Sequence, residues 1–567
     1  MKKCIAAFFA FLLAAALCAA GTPFRASAAA RQSFGSRVLL FGSEDSFSSS
    51  GGEEGLEVDS DSGIPSSFDL RDVGGLALVT EVRDQGVTGC CWAFASLSSL
   101  ESSAMMQGIM TSPDLSEYHL TWFASRSLVE NEYDPTRGDG MSVADPFGYG
   151  GNAWMAADCL ARGSGAAFEE DYPFDEHNPS NMTGISESDR YVAALGMSDL
   201  TQYDTASQAK RAIMTTGALY CTYYADTRYL SEDNSSYYCS TSLPSKRAGN
   251  HAVSVIGWDD GYSRLNFRFG KRPLHDGAWL VKNSWGNTRG EYGDGYLWIS
   301  YYDTTLANFC SFTATDEQYL DRYQYDGAGF GGVTVTEGEP TAWESSVFTA
   351  RRSSQLEAVT FISMNTNLYY TVDVFTDVPS GGMPFDGTLE AGATASGHFD
   401  CTGLHTVALS RPVPLGAGDR FAVVVTITDG DGDSICVTHE DDGASSLFAG
   451  SEETVSFYSE PGRSFMSYGS VWADMTSDLA LGDLNIKALT KERTVPDSVK
   501  DYVAGDSDRS GDLTAADARL ALRHAIGLEK LAAGAAWLSD ADSSGLVEAQ
   551  DARLILRAVL GLEEIDK

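Results

Sequence analysis

Two stretches near the C-terminus match almost residue for residue: DSDRSGDLTAADARLALRHAIGLE, starting at Asp506, and DADSSGLVEAQDARLILRAVLGLE, starting at Asp540. A duplication of this kind requires the same small unit to fold twice, side by side. Each copy opens with alternating oxygen-bearing side chains. Asp506, Asp508, Ser510, Gly511 and Asp517 fall at loop positions one, three, five, six and twelve, and Asp540, Asp542, Ser544, Gly545 and Asp551 repeat the arrangement. Asp512 and Leu546 stand at position seven, where a backbone carbonyl completes such a set. Oxygen ligands at this spacing, with Gly at the sharp turn, suit Ca²⁺. We expect two calcium ions, and folding of the module coupled to them, because unpaired carboxylates repel. The twelfth residue is Asp where an EF-hand has Glu, and no helix is expected before each loop.

The whole chain of 567 residues is too long for one core. Its 79 acidic against 39 basic residues give a net charge of −40, which argues against nucleic acid and against anionic membrane surfaces. The N-terminus has Lys2 and Lys3, an apolar run, and a small-residue site, Ala26-Ser27-Ala28. That is the pattern of a secretory signal peptide, residues 1–28. Cys18 follows Leu17, where a lipoprotein carries a small residue, which argues against lipidation. No later run is long and apolar enough to span a membrane, so an exported, soluble protein is expected.

Residues 29–63 are rich in Ser, Gly and Glu and read as a disordered leader or short propeptide. A first block, 64–314, opens with a helix after Cys91 and ends in aromatic strands such as HAVSVIGW and GYLWISYYD. A second block, 319–490, is dominated by strands separated by Gly, Pro and Asp turns, which is the pattern of a β-sandwich. Residues 491–498 read as a linker, and 499–567 hold the repeat. The fold class is multidomain: an α+β two-lobed unit, an all-β sandwich, then a small all-α calcium-binding module.

The chemistry centres on VRDQGVTGCCWAFASLSSLES, Val82 to Ser102. A cysteine attacks as thiolate, and a helix N-terminus or a nearby imidazolium lowers its pKa. Cys91 sits at the start of a run rich in helix formers. Among eight histidines, His177, His275, His398, His405, His439 and His524 lie in polar or turn-like contexts and read as surface or structural, and His119 reads as helix packing. His251 heads a strand that reads as buried. Asn283, in WLVKNSWGN, offers a side-chain oxygen to an imidazole N–H, and Trp285 can shield that bond from water.

Cys91-Trp92 with Gln85 upstream, then NHAV, then KNSWG resemble the papain family of cysteine peptidases, over about Ile64 to Ala314. The resemblance implies Cys91 as nucleophile, His251 as general base and acid, and Asn283 orienting His251. It implies that Gln85 and the Cys91 N–H bind the oxyanion. Gly150 and Gly151, in YGGN, resemble the edge that pairs with substrate backbone. Ala252 would lie near the second specificity pocket, and Trp285 over the Asn283–His251 bond. Thr88 stands where the family has a disulfide cysteine. Cys90 takes the place of a small residue and would turn away to pack. The leader is shorter than papain's helical propeptide, so a folded inhibitory prodomain is not expected.

The peptidase followed by a β-rich block resembles bacterial papain-like peptidases with a lectin-like domain. In that block Trp343, Tyr369, Tyr370 and Trp472 either stack on sugar or fill the core. Cys401 and Cys436 are candidates for a disulfide, and TDGDGDS around Asp429 to Asp433 is either a calcium loop or an acidic turn. The repeat, with DARLALR and DARLILR after its loops, resembles a type I dockerin, which implies a cohesin partner on a scaffold protein or cell surface. The bland reading of the repeat is a calcium-stabilised cap. The expected function is a secreted cysteine endopeptidase tethered through its tail. The alternatives are a cell-wall peptide amidase or a non-catalytic adhesin.

Overall fold

The computed structural model describes residues 37–40, 63–128, 139–182, 184–240, 249–287, 294–336, 338–440, 453–468, 471–493, 502–531, 533–544 and 546–565. The residues of the expected signal peptide, most of the expected leader and Gly545 lie outside them. Side chains of 37–40, 453–454 and 533 are likewise undescribed.

The first domain is organised around α1, Cys91–Met106. Its sequence, CWAFASLSSLESSAMM, has no polar stripe because thirteen of its sixteen residues are buried. Trp92, Leu97 and Leu100 pack into the core of the helical lobe with Trp154 and Phe312. The serines let the neighbouring strands approach closely and satisfy their backbone. Ser99 Oγ donates to Ala218 O at 2.6 Å and accepts the Phe312 N–H at 3.1 Å, and Ser103 Oγ accepts the Ala314 N–H at 3.0 Å. Helices α2 (Glu117–Ala124), α3 (Pro146–Tyr149) and α4 (Ala153–Ala161) complete this lobe, and α5 (Ala206–Thr215) packs on the strands of the other lobe through Ala209 and Ile213.

The two expected globular units share one sheet. Among the described residues twelve strands form a continuous sheet, in which four of the second domain (Asp321–Tyr323, Ile486–Lys491, Ser354–Ser363 and Gly403–Leu415) lead into Gly196–Gln202 of the first. The join is the pairing of Gly403 with Thr201 and Leu404 with Leu200. Beyond it run Ala307–Thr315, Leu219–Tyr223, His251–Asp259, Ala278–Lys282 and Tyr296–Ser300. A seven-stranded sheet, with Thr341–Thr349 and Arg420–Asp429 at its centre, forms the other layer of the sandwich. Leu356, Phe361, Val372, Val423 and Phe421 fill the space between the two layers.

Two expectations need correction, the disordered leader and the Cys401–Cys436 disulfide, whereas the histidine and acidic-turn readings agree with the structure. The leader contributes a strand: Arg37–Leu40 pairs antiparallel with Gly332–Val335. Averaged composition hid this short run, because backbone pairing needs only four extended residues. No disulfide joins Cys401 to Cys436, and none forms among the other described cysteines, Cys90, Cys91, Cys159, Cys221, Cys239 and Cys310. His405 and His439 are buried structural residues. His439 packs under Gly332 and bonds the Glu440 carbonyl through Nδ1 at 2.7 Å. Around Asp429 the chain makes an acidic turn, in which Oδ1 accepts the N–H groups of Asp431 and Asp433 at 2.9 and 3.0 Å, and Oδ2 accepts from Asn365 Nδ2. Tyr370 stacks on Phe399 within the domain, whereas Tyr369 is 54% exposed beside His398.

The tail folds as α6 (Ala515–Ala525), α7 (Ala533–Ser539) and α8 (Ala549–Val559) around Ala521, Ala552 and Ile555. Here too an expectation fails: α7 ends directly before Asp540, so a helix precedes the second loop. The repeat alone could not reveal it, since α7 lies between the copies. Among the described residues no helix is long and apolar enough to cross a membrane.

Candidate active site

A cleft of about 550 Å³ runs between the two lobes, and Gln85, Cys91, Gly150, Gly151, His251, Ala252, Asn283 and Trp285 all line it. Residues up to 200 positions apart in sequence are brought together because α1 and the strand His251–Asp259 both begin at this seam.

Cys91 is the first residue of α1, where unbonded backbone N–H groups favour a negative charge. Cys90 faces the opposite way. It is fully buried with Phe94, Tyr118, Phe147 and Met182, and its thiol donates to Phe147 O at 3.7 Å. Burial pushes the Cys90 thiol up to about 12, which removes it from nucleophilic chemistry. The adjacent pair thus divides into one packing thiol and one cleft thiol.

His251 Nε2 donates to Asn283 Oδ1 at 2.7 Å, an oxygen that can only accept, so Nδ1 is left for the cleft. Asn283 is held in turn by the Ser284 N–H, which donates to the same oxygen at 2.8 Å, and by its own N–H on Gly295 O at 2.9 Å. Trp285 stacks on the imidazole, with centroids 4.4 Å apart and planes at 19°. Tyr223 closes the other side edge-on at 5.8 Å. Burial lowers the His251 pKa to about 4, with the Asn283 bond opposing, and burial raises that of Cys91, opposed by the backbone N–H groups of Ala252, Trp92 and Cys91 itself. Neither group ionises easily alone. Moving the proton from Cys91 to His251 creates both charges at once, each stabilising the other.

Gln85 is fixed at both ends of its amide. Ser284 Oγ donates to Oε1 at 2.7 Å, and Nε2 donates to Thr88 O at 2.8 Å. The second Nε2 hydrogen has no partner among the described residues, which leaves one donor facing the cleft beside Cys91. Thr88 closes this turn through its hydroxyl, which donates to Gln85 O at 2.8 Å. A hydroxyl in place of the family's disulfide cysteine thus holds the same loop by hydrogen bonds. Glycine is required at 151, where a Cβ would lie 2.3 Å from the Trp92 ring. Gly150 adopts φ +99°, the region that favours glycine.

Sequence reasoning missed Ser284 and Tyr223. Ser284 was visible beside Asn283 in KNSWG, but its bond to Gln85 spans 199 positions. Tyr223 is identifiable only from the strand register that sets it opposite His251.

The second candidate site is the pair of acidic loops. Asp506, Asp508 and Asp517 bring carboxylate oxygens within 4.8 Å of one another, and Asp540, Asp542 and Asp551 do the same. The loops share several bonds: Asp508 N–H donates to Asp517 Oδ1 and Asp542 N–H to Asp551 Oδ1, both at 3.0 Å. Ser510 and Ser544 hydroxyls donate to the carbonyls of Asp512 and Leu546, both at 3.3 Å. An all-oxygen set at this separation matches the span between ligands of one Ca²⁺.

Comparison with known proteins bears on these sites. Residues 64–316 match the papain family cysteine protease model, and 322–490 match the lectin like domain model. Procathepsin L of Rattus norvegicus is 29% identical over 242 residues, covering 42% of this chain and 60% of its own length. The probable cysteine protease RD19C of Arabidopsis thaliana is 27% identical over 249 residues, covering 41% and 56%. The chain thus spans a little over half the length of these relatives. The crystal structure of the cysteine protease and lectin-like domains of Cwp84, a surface layer associated protein of Clostridium difficile, aligns with a TM-score of 0.63 and 25% identity, over 78% of this chain and 91% of that one. A second Cwp84 structure, after propeptide cleavage, aligns at 0.62 with 25% identity over 75% and 99%.

Proposed function

Given that residues 64–316 form a papain-family cysteine protease domain joined to a lectin-like domain, we propose that the protein is an exported cysteine endopeptidase that works through Cys91. The observation that carries this reading is one cleft holding a helix-start thiol, an Asn-anchored imidazole and an uncommitted amide donor. Cys91 passes its proton to His251 Nδ1 and attacks the peptide carbonyl carbon. The oxyanion that forms accepts hydrogen bonds from Gln85 Nε2 and the Cys91 N–H. The imidazolium returns the proton to the leaving amine, and a thioester to Cys91 remains. Water, activated by the now neutral His251, hydrolyses that ester and frees the thiol. Asn283 keeps Nδ1 aimed at Cys91, and Trp285 excludes water from the bond that does so. Gly150 and Gly151 offer backbone to an extended substrate, with Ala252 and Trp285 beside it.

The acidic loops support a calcium-dependent dockerin-like tail that docks the enzyme on a cohesin-bearing scaffold or cell surface. Asp506, Asp508, Ser510, Asp512 and Asp517 would hold one ion, and Asp540, Asp542, Ser544, Leu546 and Asp551 the other. Bound calcium would fix each loop against its helix. Tyr369 supplies an exposed aromatic face for a glycan on the lectin-like domain.

Trace iodoacetamide near pH 5.5, with the label mapped by mass spectrometry, tests the peptidase reading. Ordinary thiols, with pKa about 8.5, scarcely react there. Label on Cys91 that disappears in His251→Ala supports the thiolate–imidazolium pair. Label on Cys90, or on neither cysteine, overturns it.

A further inference from the structure

The last strand of the lectin-like domain, Ile486–Lys491, is followed two residues later by Arg493. The Arg493 guanidinium reaches into the tail, where Nη2 lies 2.5 Å from Asp540 Oδ2. The pair is largely withdrawn from water, with the Asp540 side chain 2% exposed and that of Arg493 14%. Arg493 also lies 6.0 Å over the ring of Trp537, on α7. The turn carrying Asp419 faces the same loop. Its carboxyl is held above the usual range by burial first, and further by the charges of Asp377, Asp542 and Asp540.

Asp540 is position one of the second acidic loop. The matching residue of the first loop, Asp506, accepts the N–H groups of Ser510 and Gly511 at 3.0 and 2.8 Å and makes no ion pair among the described residues. The two loops therefore differ in the partner of position one, since a cation supplied by the neighbouring domain sits on the second alone. A position-one carboxylate must approach Ca²⁺ to about 2.3–2.6 Å. A guanidinium on the same buried carboxylate holds part of that charge already, and two cations there repel.

We propose that Arg493 is an internal competitor for the cation of the second loop: it tethers the tail to the lectin-like domain when calcium is scarce and is displaced when calcium binds. The inference rests on the calcium-loop reading above and adds a switch to it. The coupling is reciprocal. Whatever the ion pair contributes to holding the tail, calcium must overcome at loop two and not at loop one. The tail is presented to its partner only after that exchange.

The test is calcium titration of the whole, chelator-stripped protein by isothermal calorimetry, beside small-angle scattering with and without calcium. The wild type is expected to show two sites differing by tenfold or more. Arg493→Gln is expected to tighten the weaker site about tenfold and leave the stronger one unchanged. Calcium should expand the wild type in scattering, whereas the apo variant should already be expanded. Equal wild-type sites, a weaker site that Arg493→Gln does not tighten, or a scattering profile indifferent to calcium would each overturn the tether while leaving the calcium loops intact. No calcium uptake by the wild type would overturn the calcium reading itself, and the tether with it. The wild-type scattering decides the question even if the variant fails to fold.

Discussion

Replacing Gln85 with Ala isolates one donor. In the structure Ser284 Oγ donates to Gln85 Oε1 and one Nε2 hydrogen is donated to Thr88 O. The other Nε2 hydrogen is available to an oxyanion and has no partner among the described residues. Its loss should act on the transition state alone. Removing a donor of this kind costs about 10²–10³ in kcat, or about 2.7–4 kcal/mol, with KM changed little. Truncation also strands the Ser284 hydroxyl and the Thr88 carbonyl, at about 1–3 kcal/mol of stability for each group left unsatisfied, less whatever water enters from the cleft. Two assays separate the effects. Turnover of a fluorogenic peptide reports the oxyanion step, whereas alkylation of Cys91 by iodoacetamide passes through no tetrahedral oxyanion. The expected outcome is a large loss of turnover with an alkylation rate within a few-fold of wild type. A loss below tenfold in a folded variant would refute the assignment of Gln85. An equal loss of alkylation would show that Gln85 acts by supporting the Cys91 loop.

Three further outcomes follow from the same structure. Cys90→Ala should leave both turnover and Cys91 labelling near wild type, since the Cys90 thiol is buried and pushed up to about 12. A large loss of labelling would mean that the two thiols had been assigned in the wrong order. Gly151→Ala should abolish turnover and lower the unfolding temperature, because its Cβ would fall 2.3 Å from the Trp92 ring, and a fully active variant would contradict the close contact. Glu344 lies buried in the sandwich with Oε1 lacking a hydrogen-bond partner, and burial pushes its carboxyl up to about 8 from 4.5. The folded state therefore keeps a proton that the unfolded state releases, so this group's contribution is fully present below about pH 4.5 and is lost as pH rises to about 8. Glu344→Gln should gain on the order of 4 kcal/mol over wild type at pH 8, with the gap closing near pH 5. Denaturant midpoints at the two pH values measure it, and a constant gap would refute the shift.

The sequence by itself singled out residues that line the cleft. Gln85, Cys91, His251 and Asn283 were identifiable because each stands in a short local pattern, and short patterns are visible one-dimensionally. The acidic loop residues were identifiable for the same reason, and the duplication wrote them twice. What the tertiary structure decided was every relation without local periodicity. Ser284 grips Gln85 across 199 positions, and Tyr223 meets His251 through register alone. The shared sheet was hidden because the Gly403–Thr201 and Leu404–Leu200 pairs are joined through backbone groups, which every residue but proline carries alike. The leader strand at Arg37–Leu40 was hidden for the same reason. Nothing local in the sequence marks Arg493, which falls within the stretch that reads as a linker. Only the folded chain, by bringing the end of a strand against the second acidic loop, made its charge specific.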